Sequence, residues 1–166
     1  MKKIGIFLIC LGLFTASCSN DDDDLDTIGA NYLVSNVNFT PENNFGINYT
    51  LVSPLVSGDV VLVYRLEAVD NGVNVWEPLP TATIYFDDNQ DGIDDGFVQY
   101  RFNYTANDVD ILIESDAPET LDSSFTLNQV FQVVIVPADA INQDLHINFK
   151  DINDVYNKLH LNKGFL

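Results

Sequence analysis

Between positions 98 and 104 the chain alternates Val98, Tyr100, Phe102 and Tyr104 with Gln99, Arg101 and Asn103. A period of two is the repeat of a pleated strand, so this stretch predicts one face on a core and one in water. Such a strand needs partners. Runs rich in β-branched and aromatic residues recur at 32–40, 46–53, 60–66, 81–86, 110–114 and 129–136, separated by turn residues such as Pro41-Glu42-Asn43-Asn44 and Gly58-Asp59. The unbroken run from Val60 predicts a central strand, and Pro137, which cannot donate to a ladder, ends the last run. Six or seven strands spaced by turns predict an all-β fold, an antiparallel β-sandwich of about seven strands. The exception is the C-terminus, where Ile152, Val155 and Leu159 fall at helical spacing behind Asp151, a residue suited to capping a first turn. A short C-terminal helix packed on a sheet edge or end is expected.

The first thirty positions follow a different logic. Lys2 and Lys3 precede an eleven-residue apolar run from Ile4 to Phe14, then Thr15, Ala16, Ser17 and Cys18. This is the order of a cleaved signal peptide, expected at 1–17. The alternative, a permanent membrane helix, calls for about 20 apolar residues. The small residues before Cys18 resemble a bacterial lipobox, with Thr15 where leucine is usual, and the resemblance implies that Cys18 becomes the diacylated first residue of the mature chain. Cys10 lies in the leader, so the mature chain would hold neither a free thiol nor a disulfide.

Ser19, Asn20, four consecutive aspartates, Leu25 and Asp26 then form an acidic stretch with no apolar face to bury, a solvated tether expected over 18–30. Acidic residues directly after the acylated cysteine resemble the surface-export signal of Bacteroidota lipoproteins, which implies the outer face of the outer membrane. A periplasm-facing anchor is the alternative. Asp26-Thr27-Ile28 resembles an O-glycosylation sequon of that phylum, with Thr27 as acceptor. In the domain expected at 31–166, the run from Asp59 to Glu67, Trp76 and the run from Asn128 to Asp139 resemble an uncharacterised group of Bacteroidota lipoproteins. Some of these carry collagen-like stalks between lipid and head. The resemblance implies a head domain displayed from a membrane tether, and brings no activity with it.

Charge narrows the function classes. The 25 acidic against 7 basic side chains give a formal charge of −18. Loss of the leader removes two lysines and leaves 5 basic against 25 acidic, a net of −20. Phosphate backbones repel such a chain, so nucleic acid is excluded as a partner. A hydrophobic fraction of 46% argues against wholesale disorder. There is no Gly-x-Gly-x-x-Gly, Gly-x-x-x-x-Gly-Lys, Gly-x-Ser-x-Gly, His-Glu-x-x-His or Cys-x-x-Cys. Nucleotide, dinucleotide and thiol-redox chemistry have no support, and the chain is expected not to be an enzyme.

One constellation could hold a metal. Asp87, Asn89, Asp91 and Asp95, with Gly92 for a sharp turn and the Ile93 carbonyl, place oxygens at alternate positions of a loop, a pattern suited to calcium. The loop resembles the calcium loops of thrombospondin type 3 repeats. It departs from an EF-hand, whose twelfth position would be a glutamate and here is Val98. The alternative is an acidic hairpin loop without an ion. Trp76, Tyr85, Tyr100 and Tyr104 could form an aromatic platform for a glycan or an extracellular protein, or could be packing residues. Glu67 and Glu77 could pair as acid and base, though nothing in the sequence sets their separation. His146 and His160 have no second histidine at a ligand spacing; Asp144-x-His146 could be a partial metal site, and the favoured alternative for both is a surface or helix-flank histidine. The expected function is a lipid-anchored, surface-exposed lipoprotein with a non-catalytic structural or binding domain. The alternatives are a carbohydrate-binding accessory lipoprotein and, further off, a small hydrolase.

Overall fold

The computed structural model describes residues 29–87, 96–142 and 146–162. Among the described residues, eight strands form two four-stranded sheets. In one, β1 (Ala30–Val37), β8 (Gln129–Val136), β3 (Val60–Asp70) and β4 (Val73–Pro78) lie in the order β1-β8-β3-β4. In the other, β2 (Gly46–Thr50), β7 (Asp108–Glu114), β6 (Gly96–Tyr104) and β5 (Ile84–Phe86) lie in the order β2-β7-β6-β5. Every pairing is antiparallel. The fold is the all-β sandwich that the alternating segment predicts, with β3 interior to its sheet.

The inner faces meet through Val61, Val63, Phe131 and Val133 on one side and Val98, Tyr100, Val109 and Ile111 on the other, all buried. Phe39 joins them, its ring centroid 6.0 Å from those of both Tyr100 and Phe131. Alternation along β6 is complete in burial only over its first half, since Val98 and Tyr100 are fully buried whereas Tyr104 is exposed and stacks on Phe102.

Two features differ from expectation. A strand unforeseen by composition, β4, follows the two-residue turn Asn71-Gly72, whose φ angles of 49° and 82° match a tight hairpin of the primed type. The C-terminal helix α3 (Ile152–Lys158) is capped by Asp151, whose carboxylate accepts from the Asn153 amide at 2.9 Å. It packs on the outer face of the β1-β8-β3-β4 sheet and not on an edge or end. The reason is that β8 and β3 are apolar on both faces: Val134, Val136 and Tyr64 point outward and need cover, which Ile152, Val155, Tyr156 and Leu159 provide.

Strand direction gives the sandwich two ends. At one end lie Ala30, where the chain joins the sheet, the 51–59 connection, the 105–107 turn and helix α2 (Ala138–Asn142). The opposite end carries the 38–45 segment, the β3–β4 turn, the Phe86 and Gly96 ends of β5 and β6, and helix α1 (Ser123–Thr126). Strands of 8 to 11 residues separate these ends by about 30 Å.

Candidate functional site

The 87–95 connection is rooted on the β5–β6 pair, where Phe86 is opposite Gly96. Of the expected calcium ligands, Asp87 is half-buried beside that root. Asn89, Asp91, Ile93 and Asp95 lie outside the described residues. Among the described residues, no group of three or more His, Cys, Asp or Glu side chains is arranged to hold a metal.

The root does acquire a carboxylate that the loop motif does not contain. The β6–β7 ladder ends with Gln99 opposite Glu114, and extending its register by two residues brings Asp116 to Phe97. There the Phe97 amide donates to Asp116 Oδ1 at 3.3 Å. A Cβ on Gly96 would lie 3.2 Å from the same oxygen, so Gly96 lets Asp116 close on the strand. Asp122 is nearby, its carboxylate accepting from the Ser124 amide at 2.8 Å, and this bond holds it below the usual carboxylate range. Phe86, Phe97, Phe125, Asp116 and Asp122 line a cavity of about 330 Å³, the size of a small-ligand pocket. Asp116 and Asp122 escape a search confined to the loop motif; the antiparallel register is the signal that finds Asp116.

The aromatic residues are not brought to one surface. Trp76 is half-buried against the α3 cluster, and its Nε1 is shielded from solvent without a hydrogen-bond partner among the described residues. Tyr85, 61% exposed, is in the other sheet with its ring 6.4 Å from that of Phe97. Tyr100 is in the core, where its hydroxyl donates to the Phe125 carbonyl at 2.6 Å and burial pushes its pKa up to about 12. A buried side chain cannot offer a ring to a sugar, so Tyr100 is a packing residue. Tyr104 lies toward the end at which the chain joins the sheet.

Around Tyr100 is a buried polar cluster. Arg65 Nε donates to Gln129 Oε1 at 2.9 Å, and Gln129 Nε2 donates to the carbonyls of Ser124 and Leu127. Glu77 is 3.9 Å from the Arg65 guanidinium, and burial raises its pKa above the ordinary value. Glu67 is exposed on β3, so the two glutamates differ in setting: Glu77 is half-buried beside Arg65, and the Glu67 charge adds to the raising of the Glu77 pKa. His146 and His160 are exposed, and Asp144 lies outside the described residues, as do Cys18 and Thr27. Compared with family models, curated proteins and solved structures, the chain matches none.

Proposed function

We propose that the chain is a lipid-anchored outer-membrane lipoprotein, held through acylated Cys18 and facing the cell exterior, whose sandwich is a non-catalytic structural or binding head. The observation that carries this reading is the order of the first thirty positions: basic residues, an apolar run, small residues, Cys18, then an acidic stretch. The geometry supports display from a tether. Gly29 is already packed against the Ile135 carbonyl, Leu159 and Leu161, and Ala30 already pairs with Ile135, so the described part of the chain is in the fold from its first residue.

Calcium at the 87–95 connection belongs to the same proposal. The ion would neutralise the aspartates and fix the hairpin at the end remote from the tether, in a head without a disulfide. Asp116 is a carboxylate at the root of that connection, and its position supports the reading.

Metabolic labelling with a fatty-acid analogue tests the anchor. The wild type should take label and Cys18→Ala should not; label on both refutes acylation at Cys18. Protease treatment of intact cells tests the orientation, with removal of the head expected and full protection returning it to the periplasm.

A further inference from the structure

The most exposed large apolar side chains among the described residues are Val52 and Val56, at 79% and 71%. They belong to 51–58, Leu-Val-Ser-Pro-Leu-Val-Ser-Gly, eight consecutive uncharged residues in a chain with 25 acidic and 7 basic side chains. The loop is tied down. The Leu51 amide donates to the Asn107 carbonyl at 2.8 Å and the Leu55 amide to the Ala106 carbonyl at 2.7 Å. Asp59 accepts from the Val56 amide at 2.9 Å through Oδ2 and from the Ala138 amide at 3.2 Å through Oδ1. Its carboxylate is thereby spent on backbone amides. Gly58, at φ 97°, closes the turn against Ala138, where a Cβ would approach to 2.8 Å. The valines are thus held outward by a fixed frame, and the tip between them carries no charge.

Position on the molecule says what meets them. Ala30, the first strand residue, and Leu55 and Val56 line one cavity of about 360 Å³, so the chain arrives from its tether beside this loop. Ten residues separate Cys18 from Gly29, a reach of at most about 35 Å. An acyl group on Cys18 would keep the loop near the bilayer at an effective concentration in the millimolar range, where a small apolar contact suffices. A second copy of the chain fits less well: two valines and their neighbours fall short of the roughly 800 Å² per partner of a stable interface, and the negative charges repel.

We propose that the 51–58 loop is a lipid-contact surface, with Val52 and Val56 entering the interfacial layer of the bilayer that holds the anchor. This rests on the lipoprotein reading. The contact orients the sandwich upright, with the cavity between Phe86, Asp116 and Phe125 farthest from the membrane.

The test uses the full, processed protein in phosphatidylcholine–phosphatidylethanolamine vesicles. Val52→Cys, Val56→Cys and Val73→Cys each carry a nitrobenzoxadiazole label, since acylation leaves the mature chain no other thiol; position 73 is exposed on the opposite end. Brighter, blue-shifted emission at positions 52 and 56, quenched by doxyl lipids, with position 73 unchanged, is the expected result. Water-like emission at all three positions in protein that floats with the vesicles overturns the loop contact and leaves the anchor standing. Protein that takes no fatty-acid label and does not float removes the anchor and the contact together. A shift that needs no vesicles and grows with protein concentration assigns the loop to a second copy and overturns the lipid contact.

Discussion

The guanidinium carbon of Arg65 lies 4.4 Å from the centroid of the Tyr100 ring, inside the sandwich. A buried cation is tolerated there because the ring face, Gln129 and Glu77 surround it. Arg65→Ala is expected to cost about 3 kcal/mol in urea unfolding, the range for removing one partner of a buried charge cluster. A loss below about 1 kcal/mol, the scale of an exposed pair, would mean that water replaces the side chain.

The pH dependence carries two opposite signs. Glu77 has its folded pKa raised by burial, so its ionisation opposes folding, and stability falls as pH climbs above the ordinary value of 4.5. Glu77→Gln should remove that decline, with its melting temperature gaining on the wild type as pH rises above 4.5. Asp108 and Asp122 are lowered, Asp108 chiefly by the Thr105 hydroxyl and Asp122 by the Ser124 amide. Their contribution is present above the ordinary 3.8 and is lost as pH falls through the lower folded values, so Asp122→Ala should flatten the acid limb of the melting profile.

Helix α3 is held by hydrogen bonds as well as by apolar cover. The Tyr156 hydroxyl donates to the fully buried Gln132 Oε1 and accepts from Asn31 Nδ2, both at 2.9 Å. Tyr156→Phe keeps the packing and removes both bonds. A loss of about 1 kcal/mol in chemical denaturation is expected.

At the junction, Gly29 has no room for a side chain. A Cβ would lie 2.7 Å from the Ile135 carbonyl oxygen and 3.0 Å from Leu159 Cδ1. Gly29→Ala should cost about 1 to 3 kcal/mol, the range of overpacking, read from the urea midpoint.

Calcium added to the metal-free protein should raise its melting temperature, and Asp91→Ala should abolish the increase. Equal melting temperatures with and without millimolar calcium would reduce the 87–95 connection to an acidic hairpin.

The β-sandwich was legible because its strongest strands obey simple patterns: β8 spans the run that Pro137 terminates, and β6 contains the alternating aromatic segment. β4 was not, because Val73–Pro78 is short and mixes Asn74 and Glu77 with apolar residues. The Asn71-Gly72 pair before it is the local signal that identifies the hairpin. Helix position was illegible for another reason: a helical stripe gives a buried face without saying which surface receives it. Of the site, Asp87 was legible as motif, whereas Asp116 depends on strand register and Tyr100 on which face of β6 turns inward. Periodicity states that Tyr100 and Phe102 share a face; the opposing Phe131 and Phe39 decide that this face is core.

The ladder of β1 on β8 runs from Ala30 opposite Ile135 to Val37 opposite Gln129, the length of the sandwich. Traction along the strand axis, between Ala30 and a load gripped at the remote end, would slide β1 along β8. The ladder bonds of the continuous stretch from Ala30 to Val34 would be strained together and not peeled one after another, with the register break before Val37 setting the last pair apart. Force entering β1 at Ala30 would therefore load it in shear, the mechanically resistant direction of a sheet, whereas a sideways pull would unzip the same strand at lower force.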